Sequence, residues 1–317
     1  MTCPKSSIFR DGDVVAMIGD SITYDGRWWV SLREQLLARR PAVNCDFRNC
    51  GIAGDGAEGA LRGYNWDIAP HHPTLALVMF GMNDVWRDCY APSPTEAMLT
   101  RRAEALDRFL AASSALVDRL LEDGVRVVLV TPTPFDQYAP ERPAPNLPGV
   151  DDALAVCGGM VRGLAAARRL PVVDLHTPLR RRCVAGEPLV GEDRVHPGDP
   201  GHDAMTALVA AALCPGPTVP VPPALRAASR ALHAAECRLR TPAMFRNWAG
   251  DATAGSGDEV ILRYLDQNQE KEQNPWVVEQ MQLCRSLLSR QAELAAEVAA
   301  LRQRLAEVAR AESLNAS

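Results

Sequence analysis

The chain of 317 residues is poor in aromatics: Phe, Trp and Tyr together make up 5%. Leu, Val and Ala must therefore fill most of any core, and they are available, since apolar residues reach 47%. No run of about 18 apolar residues occurs, so no helix is expected to span a membrane. The first residues, MTCPKSSIFRDGD, lack the apolar region of a secretory signal. The net charge is −5 and no basic stripe interrupts it, which argues against a nucleic-acid partner. The run Arg180–Arg182 reads as a solvated helix end. The cysteines are Cys3, Cys45, Cys50, Cys89, Cys157, Cys183, Cys214, Cys237 and Cys284. They are scattered, odd in number and free of any C-x-x-C pair. That excludes a disulfide framework and a zinc site as the first reading. Several fall in apolar segments, where a reduced thiol acts as a small hydrophobe, so a reducing, cytoplasmic setting is expected.

What is present is an alternation of short apolar runs and helix-like stretches. Val14–Ile18, Val43–Arg48, Thr74–Phe80, Val125–Val130 and Pro171–Leu175 read as strands. Helices are expected over Gly26–Arg40, Ala57–Ile68, about 151–169 and about 200–213. A long helix is expected from Ser93 as N-cap, with Pro94 and Glu96 at its N1 and N3 positions, to a stop at Gly124. A Pro-rich loop occupies 132–148. Buried strands separated by helices imply βαβ units. The expected fold is a flavodoxin-like three-layer α/β/α sandwich with a five-stranded parallel sheet in order 2-1-3-4-5. Ligands bind such folds at the carboxyl ends of the strands.

This α/β unit covers residues 1–214. Pro215–Pro223 (PGPTVPVPP) reads as a stiff linker, and residues 224–317 as a helical extension. A helix is expected over 224–240, a loop over 247–258 and one long helix over about 275–311. In that last helix Leu287, Leu294, Leu301 and Val308 fall seven apart, with Cys284, Gln291, Val298 and Leu305 as the companion series. This coiled-coil-like pattern fits self-association into a homo-oligomer, packing against the chain's own body, or another protein partner.

Four polar segments stand at expected strand ends or before the last helix. Gly19-Asp20-Ser21-Ile22-Thr23 follows the first strand; a serine there suits a nucleophile or a helix cap. It is not the G-x-S-x-G elbow, because Thr23 replaces the second glycine. Asn49-Cys50-Gly51-Ile52-Ala53-Gly54-Asp55 follows the second strand, and glycine there lets an N–H approach a ligand. Gly81-Met82-Asn83-Asp84 follows the third; an asparagine amide offers N–H donors to an oxyanion, or builds an Asx-turn. Asp193-Arg194-Val195-His196-Pro197 offers a base and its orienting carboxylate, which a serine nucleophile needs. Each alone is weak, and their order Ser, Gly, Asn, Asp-x-x-His is far more specific.

That order resembles the SGNH/GDSL hydrolases over about residues 12–213. The resemblance implies an esterase in which Ser21 is the nucleophile, His196 the base and then acid, and Asp193 the third triad member. It further implies an oxyanion hole from the Ser21 and Gly54 backbone N–H groups and the Asn83 amide. The mechanism would run through an acyl-enzyme without metal or cofactor. Ile22 stands where family members often carry leucine.

Among the other histidines, His71 and His72 read as surface, His176 as a candidate pocket residue, His202 as structural and His233 as exposed. Asp20, Trp28, Asp84 and Trp86 are the candidate substrate contacts, and 131–136 a candidate wall. With no large apolar lid in view, the expected substrate is a short-chain, perhaps acetyl, ester of a carbohydrate or another polar small molecule. An acyltransferase, a lysophospholipase or thioesterase, and a non-enzymatic scaffold stand as alternatives.

Overall fold

The structure, a computed structural model, describes residues 7–250 and 257–315. Five strands form the sheet: β1 (Val14–Gly19), β2 (Asp46–Gly51), β3 (Leu75–Met79), β4 (Arg126–Val130) and β5 (Val172–Val173). Their order is β2-β1-β3-β4-β5 and every pairing is parallel. The 2-1-3-4-5 order expected from the βαβ pattern is thus the observed one.

The helices of this unit are α1 (Ser21–Asp25), α2 (Arg27–Arg39), α3 (Ala57–Asp67), α4 (Glu96–Glu122), α5 (Val150–Arg168), α6 (His176–Val184) and α7 (Asp199–Leu213). Alternate side chains of a strand point to opposite faces, and two cores follow from that period. Ala16, Ile18, Ala76, Val78, Val127 and Leu129 face α3, α4 and α5. Val15, Met17, Leu75, Leu77, Val128 and Val130 face α2, α6 and α7. With both sheet faces covered, the strands read as continuous apolar runs, as parallel strands do.

Several boundaries differ from expectation. β2 begins three residues later than Val43, because Val43 and Cys45 turn into the core before pairing begins, and it runs on through Asn49, Cys50 and Gly51. The glycine segment therefore starts inside the strand rather than after it. α4 is capped by Thr95, whose side chain accepts from the Met98 N–H, so Glu96 sits at N1; Ser93 and Pro94 precede the helix. Its stop is as expected, with Gly124 at φ +76° just beyond.

The extension comprises α8 (Pro223–Trp248), α9 (Gly257–Asn268), α10 (Pro275–Leu288) and α11 (Gln291–Asn315). α8 runs eight residues past the expected end at Arg240, into the segment read as a loop, and much of the rest of that segment, residues 251–256, lies outside the described residues. The single helix expected over 275–311 is broken at Ser289 and Arg290, between α10 and α11. Its heptad face does not lie open. Val298, Leu305 and Val308 pack against Leu225, Leu232 and Ala235 of α8 and Leu37 of α2. A second cluster joins Met244 and Phe245 of α8 with Ile261, Leu265, Met281 and Cys284, and it includes Ile52 and Ala53 of the α/β unit.

Buried polar contacts fasten the extension as well. Arg33 of α2 donates to the Ser229 carbonyl at 2.6 Å, and Arg302 of α11 pairs with buried Glu236 at 2.7 Å. Arg240 reaches Asp67 at 3.1 Å. A buried charge left without its partner is costly, so these pairs fix how α8 is seated. His233, expected to be exposed, is half-buried, its Nε2 2.6 Å from the Asp25 carbonyl oxygen.

Candidate active site

The Asp20 carboxylate caps α1 by accepting from the Ile22 N–H at 2.9 Å, and this turn places Ser21 at the carboxyl end of β1. Gly19 is required by the space: an added Cβ would lie 2.3 Å from Thr23 Oγ1 and 2.6 Å from the Met79 carbonyl oxygen.

Ser21 Oγ lies 2.7 Å from His196 Nε2, and His196 Nδ1 lies 2.5 Å from Asp193 Oδ2. The other Asp193 oxygen accepts from the backbone N–H groups of Val195 and His196, at 3.0 and 2.9 Å. One carboxylate thus shapes the turn and orients the imidazole. Arg194 between them adopts φ +63° and buries its guanidinium, which donates to the carbonyls of Asp136, Ala139, Pro140 and Ala144. The Pro-rich loop therefore anchors the Asp193–His196 turn. Nothing in the sequence pattern singles out Arg194.

The electrostatics follow from these contacts. Burial alone would lower the His196 pKa, but the hydrogen bond and charge of Asp193 outweigh it, and the imidazole is raised above its ordinary 6.5. Burial pushes Asp193 upward; the hydrogen bonds from His196 and the two backbone N–H groups outweigh it and bring it down to about 2. Burial lifts Asp20 to about 6. A raised histidine beside a depressed carboxylate is a base held ready for a proton.

The Asn83 amide is held at both ends. Its Nδ2 donates to the Asp55 carbonyl at 2.8 Å, and its Oδ1 accepts from Arg87 Nη1 at 3.2 Å. Gly54, at φ +76°, is exposed, and its N–H has no acceptor among the described residues. Ser21, Gly54, Asn83, Asp193 and His196 therefore converge, as the motif order implied, and all of them line one cleft of about 570 Å³.

The candidate substrate contacts fare differently, since none of them lines this cleft. Trp28 is buried in the core under α2. Trp86 lies against Arg101 and Arg108, whose guanidinium carbons stand 5.2 and 5.6 Å from the ring centre. Asp20 is buried as the α1 cap. Asp84 joins two segments, accepting from the Ala57 N–H at 2.8 Å and the Gly81 N–H at 2.9 Å. His176 is buried against Asp151 at 3.1 Å, and residues 131–136 are buried rather than forming a wall.

Ala53 and Val195, within the motif segments, line the cleft as well, as does Arg87, a polar residue close after Asn83. The other lining residues lie outside the motifs: Tyr24 and Asp25 come from the α/β unit, and Trp248, Asn274, Trp276 and Val277 from the extension. Trp276 is 42% exposed at the start of α10. Asn274 caps that helix through Oδ1, accepting from the Trp276 and Val277 N–H groups at 3.0 and 3.4 Å. Its Nδ2 has no partner among the described residues. Trp276 follows Pro275 in a region with no strand motif, so no local signal relates it to Ser21.

The sheet topology and this site define a three-layer α/β/α hydrolase with its cleft at the carboxyl ends of the strands. A GDSL-like lipase/acylhydrolase family model matches residues 17–204, more than half of the chain, and the chain belongs to that family. It is an ester-hydrolysing enzyme. No curated protein matches the chain by sequence. Among solved structures it is similar to BT4096, a gut microbial diltiazem-metabolizing enzyme, with a TM-score of 0.78 and 15% identity over 97% of both chains. It is also similar to Axe2, an acetylxylan esterase from Geobacillus stearothermophilus, with a TM-score of 0.54 and 21% identity over 68% of this chain and 99% of the other. A single-residue variant of Axe2, described as an acetyl-xylooligosaccharide esterase, gives 0.55 and 22% over 65% and 96%. The likeness to Axe2 covers about the extent of the α/β unit, whereas the likeness to BT4096 runs through the extension too.

Proposed function

We propose that the protein hydrolyses a short-chain acyl ester, acetyl foremost, of a carbohydrate or similarly polar small molecule through an acyl-enzyme on Ser21. The observation that carries this reading is the Ser21–His196–Asp193 relay, at 2.7 and 2.5 Å, opening into a cleft of mixed polar and aromatic lining. His196 Nε2 takes the Ser21 hydroxyl proton as Oγ bonds to the ester carbon. The carbonyl oxygen becomes an oxyanion facing the Ser21 and Gly54 N–H groups and the free Asn83 N–H. His196 then returns the proton to the leaving alkoxide as the C–O bond breaks. Water repeats the sequence on the acyl-enzyme and releases the acid.

The exposed Trp276 indole and the Asn274 Nδ2, without a partner among the described residues, sit together at the cleft. An aromatic face beside an N–H donor suits a ring carrying hydroxyl groups. Asp25 and Arg87 add charge to the same cleft, which favours a polar alcohol over a long acyl chain. Free cysteines buried in the cores, such as Cys50 and Cys157, support a cytoplasmic setting.

The test is a panel of p-nitrophenyl esters of increasing acyl length, with acetylated methyl glycosides as natural-type substrates. On this reading the expected result is a fall in kcat/KM of about tenfold or more beyond acetyl or propionyl. A rise with chain length overturns the reading in favour of a lysophospholipase or thioesterase. Product masses that show acyl transfer to an added alcohol in place of free acid overturn it in favour of an acyltransferase.

A further inference from the structure

We propose that the end of α8 is a working part of the oxyanion hole, and that Trp248 is the positioning residue that aims the Gly54 N–H. This rests on the acyl-enzyme reading above and adds a role for the extension that the family motifs do not contain.

Trp248 Nε1 donates to the Ala53 carbonyl oxygen at 2.7 Å. That carbonyl and the Gly54 N–H belong to one planar, trans peptide, in which the C=O and N–H point in opposite directions. Holding the oxygen toward the indole therefore aims the N–H the other way. The hold is needed because Gly54, at φ +76°, lacks the side chain that would restrict rotation of this peptide. A rotated peptide would present a carbonyl oxygen where the oxyanion must form, and would repel it.

The indole is itself held. Its ring meets Phe245 edge-on, with centres 5.2 Å apart at 78°. Phe245, Met244, Ile52 and Ala53 share one buried cluster, so the segment after β2 and the end of α8 are packed against each other. The neighbouring Asn247 is buried, bonds the Asp55 carboxylate and accepts from Arg62 at 3.0 Å. The Asp55 carbonyl in turn receives Asn83 Nδ2 at 2.8 Å. Consecutive residues of α8 thus brace both sides of Gly54.

The test is steady-state kinetics on p-nitrophenyl acetate with Trp248→Phe, which keeps an aromatic ring and removes the N–H. Deleting an oxyanion donor outright costs about 10²- to 10³-fold in kcat, so a donor left unaimed is expected to cost about 10- to 100-fold, with KM little changed. Inhibition by a small alkylboronic acid, which forms a tetrahedral adduct on the serine, is expected to weaken by a similar factor. Should Trp248→Phe fail to fold, benzothienylalanine at position 248 replaces N–H by sulfur in the same shape and carries the same expectation. Either variant with kcat and boronate inhibition within about twofold of the parent overturns the proposal, as does a rise in KM alone, which would make Trp248 only a wall. Ser21→Ala separates the two readings. If it stays active the acyl-enzyme reading itself fails; if it is dead while the Trp248 variants are unimpaired, the clamp alone fails.

Discussion

Ser21 Oγ lies 2.7 Å from His196 Nε2, although 175 positions separate the two residues along the chain. The contact is assembled from opposite ends of the α/β unit. Ser21 arrives at the end of β1, and His196 on a turn that Asp193 shapes and Arg194 anchors. Ser21→Ala and His196→Ala are each expected to lower kcat/KM on p-nitrophenyl acetate by about 10³-fold or more, since triad members act as a unit. Circular dichroism should show both variants folded, because neither side chain is part of a core cluster. A folded Ser21→Ala protein with full activity rejects the nucleophile.

The pH dependence follows from the His196 environment. The base must be neutral to take the serine proton, and His196 is raised above 6.5. Activity should therefore climb with pH through a midpoint above 6.5 and level off once the imidazole is deprotonated. Asp193→Asn removes the hydrogen bond and the charge that raise His196. The midpoint should move down, and kcat should fall about 10³- to 10⁴-fold through the wrong tautomer. A pH–rate profile whose midpoint is the same in both proteins contradicts the orienting role.

Asp84 is a structural brace rather than a substrate contact. Its carboxylate accepts from Ala57 on one oxygen and Gly81 on the other. Asparagine has only one accepting oxygen, so Asp84→Asn should leave an N–H unmatched and lower stability by about 1–3 kcal/mol. Burial lifts Asp84 from 3.8 to about 7, so the folded state binds its proton more tightly than the unfolded chain. The stability this supplies is present below 3.8 and lost as pH rises toward about 7. Urea melts at several pH values should show that decline in the parent and a shallower one in the variant. Identical slopes would reject the assignment.

The sheet was legible because most of its strands are short apolar runs separated by helix-length segments, and a parallel sheet covered on both faces permits few other patterns. The proposed site residues were picked out by the order of four separated segments, which resembles the SGNH/GDSL hydrolases, and the fold brings those segments to one cleft. The substrate contacts were not. Trp28 and Trp86 lie close to the motifs in sequence, but the first turns into the core beneath α2 and the second lies under arginines of α4. Closeness along the chain does not say which way a side chain points. The heptad spacing over 287–308 suggested one apolar helix face, but the residues that carry it are divided between α10 and α11 and pack into different clusters, and such spacing does not name the surface that covers it.

From the sequence alone came the α/β order, the family and the set Ser21, Gly54, Asn83, Asp193 and His196. The strands are local matters, written in consecutive letters, whereas the proposed site set rests on the order of four separated segments and the family they resemble. Only the tertiary structure decided where the helices of the last hundred or so residues meet the cleft. It seats α8 by buried pairs such as Arg302–Glu236 and brings Trp248 against Ala53, 195 positions away. It also brings Asn274 and Trp276 into the cleft that holds Ser21. Those contacts depend on how one helix docks on another, which is set by shape and by buried charge across the whole molecule rather than by any local pattern.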